Sequence, residues 1–342
     1  MLRSTRSRMP SVRRTYRRRR LVAAACLVVA VGAGVLLLAS HGTTTTTSTA
    51  HPPVSHTSVD RKGHPPPSST STTVPQPAPP LRGLPVAMTE VPLVDTSRQL
   101  VSDGRELAPY RSLPTYVWTP TGQGSYPLVV FVHGYNIGPL QYERFCSTLA
   151  SSGYVVAAPS FPLEDPSRGF GLNRADLPNE AVDVSFVITS LEAEAPTYKL
   201  APGRIAVVGH SDGADVALLV GYEQGTVDSR VMAIVSDAPD PITTTIVPSS
   251  APLLLVQGTA DSIVPYSSSQ MVFSQLNGPI YYLSLVGADH LPPIQGGTAW
   301  TPVLDASVAD FLDATVANRG PGVSSLAAQL NALPLAKLET KT

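Results

Sequence analysis

The sequence predicts an α/β fold in which a mostly parallel, doubly wound sheet is covered by helices on both faces. From about Leu81 onward, short apolar runs alternate with helix-like segments, and this alternation is typical of a parallel sheet. Runs such as "PLVVFVHG" (127–134) are continuously apolar, as in strands that are buried on both faces. The chain has 342 residues, 43% of them apolar, which is enough for a large core.

The predicted elements follow one another in a regular order. The predicted strands are 115–120, 127–134, 154–160, 204–210, 231–237, 252–258 and 279–287, of which the last ends the sheet. The predicted helices are 139–151, 178–195, 212–221 and 303–316. The tail 317–342 carries Leu326, Leu330 and Leu333 at helical spacing, and we expect it to dock against the domain rather than to bind a partner.

Three segments precede the predicted catalytic domain, 81–342. Residues 1–20 contain nine arginines and no acidic residue, and residues 21–39 contain no charge. A helix of that length crosses a membrane, and the positive-inside rule keeps the arginines in the cytoplasm. We therefore predict a single-pass signal anchor in the cell membrane with the domain outside the cell. Cleavage at the small residues 30–32 would instead give a secreted protein.

Residues 40–80 have the composition of a disordered linker. Of the 40 residues from 41 to 80, 25 are serine, threonine or proline, and such a segment cannot bury a core. Four of the seven histidines lie there, too loosely spaced to indicate a metal site: His41, His51, His56 and His64. We expect an extended stalk between the membrane and the domain.

Charge and cysteine content exclude two classes of protein. Without the nine N-terminal arginines, 15 basic residues face 25 acidic ones, so the rest of the chain is acidic. Nucleic acid is therefore not an expected partner, because its phosphates require a basic face. Cys26 and Cys146 lie far apart and provide no disulfide framework.

The clearest chemical signal is "VVGHSDGADVALLV" at 207–220, where Ser211 lies between Gly209 and Gly213. A predicted strand ends and a predicted helix begins at this serine. In that setting a G-x-S-x-G sequence forms a tight turn that exposes the serine as a nucleophile. The glycines allow a sharp turn, so the hydroxyl projects from the sheet edge while the helix directs backbone N–H groups toward it. Ser211 is the candidate nucleophile.

An activated serine needs an imidazole as base and a carboxylate that orients the imidazole. His290, in "VGADHLPP", is the one histidine after Ser211. Asp261 follows a buried strand through a glycine-containing turn and is the favoured acid, with Asp237, one strand earlier, as the alternative. Seven aspartates lie between the serine and the histidine: Asp212, Asp215, Asp228, Asp237, Asp240, Asp261 and Asp289.

The backbone N–H groups of Tyr135 and Asp212 are the candidate oxyanion hole. Tyr135 lies in "HGYN", directly after a buried strand, and Asp212 follows the nucleophile. His133, in the same loop, is expected to buttress it by hydrogen bonding rather than to act as a base. The carboxylate of Asp212 beside the nucleophile disfavours anionic substrates.

Residues 110–315 resemble the α/β-hydrolase superfamily, and especially its lidless branch of dienelactone hydrolases, platelet-activating-factor acetylhydrolases, chlorophyllases and cutinase-like polyesterases. The resemblance lies in "RSLPTYVWTP", "PLVVFVHGYN", "LASSGYVVAAPSFP", "DVSFVI", "RIAVVGHSDGA", "LLLVQGTADSIVP" and "GADH". It implies a triad of Ser211, Asp261 and His290 that hydrolyses esters through an acyl-enzyme. The short connection between Asp237 and Pro252 leaves no room for the helical lid that many lipases insert there.

Together these features predict a serine esterase that faces outside the cell on a membrane tether. We expect it to act as a monomer, without cofactor or metal, on small-molecule, lipid or polymeric esters. One alternative is an acyltransferase that uses the same triad on acceptors of the cell envelope. A second alternative is a hydrolase-fold binding module without catalysis.

Overall fold

The computed structural model describes residues 82–342. The predicted arginine-rich segment 1–20, signal anchor 21–39 and linker 40–80 lie outside the described residues. Within residues 82–342, no helix has both the length and the apolar character that crossing a membrane requires.

A nine-stranded sheet forms the centre of the described domain, beside a separate two-stranded hairpin. The strands are β1 (Val86–Asp95), β2 (Leu100–Ser102), β3 (Arg105–Ala108), β4 (Arg111–Pro120), β5 (Tyr126–Val132), β6 (Val155–Pro159), β7 (Leu200–His210), β8 (Val231–Asp237), β9 (Leu253–Gly258), β10 (Ile280–Leu285) and β11 (Ala336–Lys341). Their order in the large sheet is β1-β4-β6-β5-β7-β8-β9-β10-β11, and β2 pairs with β3.

The six central strands, from β6 across to β10, run parallel to one another. The pairs β1–β4, β4–β6 and β10–β11 at the two ends of the sheet are antiparallel. The prediction of a mostly parallel sheet is therefore confirmed. Because the strands are parallel, the loops after β5, β7, β8, β9 and β10 leave from the same edge of the sheet.

Helices cover both faces of the sheet. They are α1 (Glu143–Ser151), α2 (Leu177–Ala193), α3 (Ala195–Tyr198), α4 (Asp212–Tyr222), α5 (Tyr266–Gln275), α6 (Pro292–Gln295), α7 (Thr301–Leu312) and α8 (Val323–Asn331). One buried core joins α1, α7 and α8 to strand residues such as Phe131, while the other joins α2, α4 and α5 to residues such as Val130. Neighbouring residues of one strand point to opposite faces, so β5 contributes to both cores. The doubly wound architecture is confirmed.

The chain ends differently from the prediction. The strand at 279–287 was expected to be the last, which is wrong: β11 pairs antiparallel with β10. In β11, buried Ala336 and Leu338 alternate with the charged residues Lys337 and Glu339, so this short edge strand looks like a polar tail in the sequence. The expected docking of the tail is confirmed.

Two of the three tail leucines make the docking contact. Leu326 and Leu330, on α8, are buried in the core that α7 also lines, whereas Leu333 is exposed. Strands β1, β2 and β3, before residue 111, and helix α5 were not predicted either. The connection 238–252, in contrast, contains no helix, as expected for a domain without a helical lid.

Candidate active site

The candidate nucleophile Ser211 lies in a strained turn between β7 and α4. Its φ is 60° and its ψ is −124°, a conformation that costs a serine about 1–3 kcal/mol and that the surrounding structure must impose. The backbone N–H of Ser211 donates to the carbonyl of Asp237 at 2.9 Å, which anchors the turn to β8. A Cβ on Gly209 would lie 1.9 Å from the carbonyl oxygen of Gly213, so the two flanking positions have no room for side chains.

The structure pairs the predicted base with the favoured acid. His290, in the loop after β10, has its Nδ1 at 2.7 Å from Oδ2 of Asp261, in the loop after β9. The side chain of His290 is 4% exposed and that of Asp261 is 1% exposed. A carboxylate accepts the hydrogen bond, so Nδ1 carries the proton and Nε2 of a neutral His290 is left to act as a base.

Asp261 is held by further donors. Its Oδ1 accepts from the backbone N–H groups of Ile263 and Val264, each at 2.8 Å, and its Oδ2 accepts from Nε2 of Gln257 at 2.8 Å. These bonds fix the plane of the carboxylate and therefore the direction in which it meets His290. A side chain oriented in this way can hold an imidazole in one tautomer and stabilise the imidazolium that forms during catalysis.

His290 lies against the residue that precedes the nucleophile. The ring of His210 lies with its centroid 4.6 Å from the ring of His290, and Nε2 of His210 is 3.1 Å from the backbone oxygen of His290. The turn that carries Ser211 and the loop that carries His290 are thus in direct contact. The three predicted triad residues follow strands β7, β9 and β10 at one edge of the sheet, although Ser211 and His290 are about 80 positions apart in the sequence.

Asp237, the alternative acid, is the last residue of β8, which lies between β7 and β9 in the sheet. Its burial and the negative charge of Asp261 raise its pKa to about 8, so its carboxyl group is mostly neutral at pH 7. A neutral carboxyl stabilises an imidazolium poorly. The hydrogen bond to His290 favours Asp261 as the acid, and so does the neutral state of the Asp237 carboxyl group.

The loop at 133–138, which carries the candidate oxyanion donor Tyr135 and which we call the oxyanion loop, passes directly beside the candidate nucleophile. A Cβ built on Gly134, in the loop after β5, would lie 2.9 Å from Cβ of Ser211. Next to it come Tyr135 and then Asn136, whose φ is 58° and whose N–H donates to the carbonyl of Glu164 at 3.0 Å. The N–H of Asp212 belongs to the first residue of α4, where helix N–H groups favour negative charge.

His133 has the buttressing contacts that the sequence predicts. Its Nδ1 donates to the carbonyl of Gly134 at 3.0 Å, and its Nε2 accepts from the N–H of Phe161 at 3.1 Å. Complete burial lowers the pKa of His133, so both ring nitrogens are used by a neutral imidazole. The ring joins the oxyanion loop to the loop after β6.

The carboxylate of Asp212 is buried and paired with Arg174. Arg174, in the loop between β6 and α2, donates from Nε to Asp212 and from a terminal nitrogen to Asp215 and Asp240, at 3.0 and 3.2 Å. Burial alone would lower the pKa of Arg174, but these three acidic partners raise it. Asp212 therefore presents less negative charge to a substrate than the sequence suggests. No local sequence pattern singles out this arginine, because its acidic partners lie 38 to 66 residues away in the sequence.

Two buried glutamates lie near the same ion-pair cluster. Glu164 and Glu180 are fully buried, and their side-chain oxygens have no hydrogen-bond partner among the described residues. Burial, followed by the charges of neighbouring acids such as Asp212, raises the pKa of both carboxyl groups. Within residues 82–342, no group of three or more His, Cys, Asp or Glu side chains is arranged to hold a metal ion.

Comparison with known proteins shows what this arrangement resembles. Residues 94–258 match the Chlorophyllase family model. The fold is similar to that of the ferulic acid esterase from Streptomyces cinnamoneus, with a TM-score of 0.60 and 21% identity over 75% of this chain and 96% of that chain. The chain has the fold of the α/β-hydrolase superfamily. The resemblance found in the sequence is thereby confirmed.

The most similar relatives of this α/β-hydrolase by sequence include two plant proteins. Chlorophyllase-1 from Arabidopsis thaliana is 30% identical over 108 residues, which are 31% of this chain and 32% of that protein. Chlorophyllase-1, chloroplastic, from Citrus sinensis is 25% identical over 159 residues, which are 44% of this chain and 47% of that protein. The chain thus spans about a third to a half of the length of the curated relatives.

The matched region of this α/β-hydrolase contains some of the predicted site residues but not all. The family match, 94–258, includes Tyr135, Ser211 and Asp212, and it ends at the last residue of β9. Asp261 and His290 lie beyond it, so their assignment depends on their contacts in the structure. The observation that joins them is the 2.7 Å hydrogen bond between them.

Proposed function

We propose that this protein is a serine hydrolase that cleaves carboxylic esters through an acyl-enzyme. The observation that carries the proposal is the hydrogen bond between Asp261 and His290, in a loop that contacts the strained turn of Ser211. A buried acid, an imidazole and a serine in such a turn are the components of nucleophilic acyl transfer. The relatives named chlorophyllase and ferulic acid esterase support ester hydrolysis as the reaction.

Each side chain has a defined role in the proposed reaction. Oγ of Ser211 attacks the ester carbonyl while Nε2 of His290 takes its proton, and Asp261 stabilises the resulting imidazolium. The N–H groups of Tyr135 and Asp212 bind the oxyanion. The tetrahedral intermediate collapses and the alcohol leaves with the proton from His290. A water molecule, deprotonated by His290, then attacks the acyl-enzyme and releases the acid and the free serine.

The substrates proposed are small-molecule, lipid or polymeric esters. The connection 238–252 has no helix that could cover the nucleophile, and an open cleft admits bulky groups. Exposed apolar side chains in loops that leave the same edge of the sheet include Leu140, between the oxyanion loop and α1, and Phe170, in the loop between β6 and α2. Such side chains favour ester groups with apolar or aromatic character over small polar ones.

The proposed place of action is outside the cell, on a membrane tether. The support is in the sequence: nine arginines in residues 1–20, an uncharged run at 21–39 and a linker rich in serine, threonine and proline at 40–80. We propose a monomer, because a tether of this kind needs no partner subunit to hold the domain at the membrane.

Reaction with a fluorophosphonate probe tests the proposal. The wild-type protein should be labelled on Ser211, identified by mass spectrometry of the modified peptide, and should hydrolyse p-nitrophenyl butyrate. Ser211→Ala should lose both properties. Ser236→Ala is the matched control, because Ser236 is a fully buried serine of the neighbouring strand β8 and should not take part. A folded wild-type protein that is not labelled would show that the chain is a binding module.

Product analysis separates hydrolysis from acyl transfer. With butyryl ester as donor and an added alcohol as acceptor, a hydrolase should release mostly butyric acid. A new butyryl ester as the main product would identify an acyltransferase that uses the same triad.

A further inference from the structure

We infer that Tyr142 and His210 are positioning residues, which form a hydrogen-bonded bridge between the oxyanion loop and the loop of His290. The inference rests on the proposed function, because it assigns these two side chains a role in holding its catalytic groups. We call the chain of contacts from Gly134 through Tyr142 and His210 to the backbone oxygen of His290 the Tyr142–His210 bridge.

Three hydrogen bonds make up the Tyr142–His210 bridge. The backbone nitrogen of Gly134 is 3.4 Å from the hydroxyl oxygen of Tyr142, and this oxygen is 3.0 Å from Nδ1 of His210. Nε2 of His210 is 3.1 Å from the backbone oxygen of His290. The bridge therefore begins one residue before the oxyanion donor Tyr135 and ends on the proposed base itself.

The groups at the two ends of the bridge determine which atom donates and which accepts in each hydrogen bond. The carbonyl oxygen of His290 can only accept, so Nε2 of His210 carries the proton. A neutral His210 then has an unprotonated Nδ1, which accepts from the hydroxyl of Tyr142, and the hydroxyl oxygen accepts from the N–H of Gly134. Burial, followed by the charge of His290, lowers the pKa of His210 well below its ordinary value, so His210 stays neutral.

Close packing makes the bridge rigid. His210 is fully buried and Tyr142 is 1% exposed, so water does not compete for their hydrogen bonds. The ring centroid of Tyr142 lies 4.9 Å from that of Phe131 and 5.6 Å from that of His210. The ring of His210 in turn packs against that of His290 at 4.6 Å. Neither side chain can move without disturbing a neighbour.

The bridge connects two loops that follow strands far apart in the sheet. The oxyanion loop follows β5, while His290 follows β10, and strands β7, β8 and β9 lie between them in the sheet. Acyl transfer requires the oxyanion donors and the base to be in place at the same moment, and an error of about 1 Å can cost about 10²-fold in rate. A bridge between the two loops restricts their relative position, which affects the transition state more than the binding of substrate.

Substitutions that break one contact at a time test the inference. Tyr142→Phe removes the hydroxyl and keeps the ring. His210→Gln supplies an amide whose N–H replaces that of Nε2 and whose oxygen replaces Nδ1 as the acceptor from Tyr142, whereas His210→Asn keeps polarity near Nδ1 but cannot reach the carbonyl of His290. We expect kcat for p-nitrophenyl butyrate, counted per fluorophosphonate-reactive site, to fall about tenfold in Tyr142→Phe and His210→Asn, with KM within about twofold of wild type. His210→Gln should retain most of the wild-type kcat.

A second measurement does not depend on catalysis. The proton between Nδ1 of His290 and Asp261 should give a low-field NMR signal, and this signal should broaden by faster exchange in Tyr142→Phe and His210→Asn but not in His210→Gln. Two results would overturn the inference. One is a wild-type kcat per reactive site in both Tyr142→Phe and His210→Asn. The other is an unchanged proton signal in these two variants when they are folded. If the wild-type protein neither reacts with the probe nor cleaves the ester, the proposed function fails, and the proton signal still decides whether the bridge holds His290.

Discussion

Arg174 forms an ion pair with Asp212, the residue that directly follows the proposed nucleophile. The pair joins the loop between β6 and α2 to the first turn of α4, and Asp215 and Asp240 accept further bonds from the same guanidinium. The carboxylate of Asp212 is fully buried, whereas the side chain of Arg174 is 36% exposed. The loop is thereby fastened beside the nucleophile, and the charge of Asp212 is compensated.

Removal of this guanidinium should destabilise the domain. Arg174→Gln leaves the buried carboxylate of Asp212 without its cation, and we expect a loss of about 2 kcal/mol in the free energy of unfolding, measured by urea denaturation. Arg230→Gln is the matched control, because Arg230 is 34% exposed and bonds to Asp228 and Glu192 away from the site. Equal losses of unfolding free energy in the two variants would show that the ion pair with Asp212 stabilises the domain no more than an ordinary surface ion pair does.

Uncharged acyl groups should be preferred over anionic ones. Outside residues 1–20, the chain has 15 basic and 25 acidic residues, so its field repels an anionic substrate. We expect a higher kcat/KM for p-nitrophenyl butyrate than for the p-nitrophenyl monoester of succinic acid, with a smaller ratio at high salt. A preference for the succinyl ester would indicate a cation within the acyl pocket.

The two candidate acids should differ sharply on substitution. Asp261→Asn places an amide against Nδ1 of His290, which favours the wrong tautomer, and such a change costs on the order of 10⁴ in kcat. Asp237→Asn should leave kcat near the wild-type value, because a carboxyl with a pKa of about 8 is already mostly neutral at pH 7. The opposite ranking in assays with p-nitrophenyl butyrate would assign the acid to β8.

Asp237 should also make stability depend on pH. Its pKa rises from an ordinary value of 3.8 to about 8 in the folded protein, so the folded state keeps a proton that the unfolded chain releases above about pH 4. This residue therefore lowers stability progressively as the pH rises from about 4 to 8. The Tm of Asp237→Asn minus that of wild type should grow over this interval and then level off.

Asp228→Asn is the control for this pH series. Burial would raise the pKa of Asp228, but hydrogen bonds from Ser185 and Arg230 lower it. Its contribution to stability is complete above about pH 4, so the Tm difference for Asp228→Asn should be constant between pH 5 and 9. A flat profile for Asp237→Asn as well would contradict a raised pKa at Asp237.

The topology can be tested on intact cells. A protease added outside should release an active fragment that begins between residues 41 and 80, while the arginine-rich peptide stays in the membrane. The measurement is N-terminal sequencing of the released fragment together with its esterase activity. Recovery of the active protein in the culture medium without protease, with a chain that starts near Ala33, would instead establish a cleaved signal peptide.

Much of the central sheet could be predicted from local pattern. Strands such as β5 and β9 are short, continuously apolar and bounded by glycine or proline, because parallel strands are buried on both faces. Strand β11 escaped prediction because only alternate residues of an edge strand are buried, and its pairing partner is some 55 residues away in the sequence. Pairing between distant segments leaves little trace in either segment alone.

Local patterns in the sequence are sufficient to predict the class of fold, the turn of Ser211 and the few residues that could complete a triad with it. The alternation of strands and helices and the glycines on either side of Ser211 can be read directly from the sequence. The choice of base is simple because one histidine follows Ser211. Three contacts could be found only in the folded domain: Asp261 rather than Asp237 bonds to His290, Arg174 compensates the charge of Asp212, and Tyr142 bonds to His210. These are contacts between loops of different strands, and their distances depend on how the whole sheet and its helices pack.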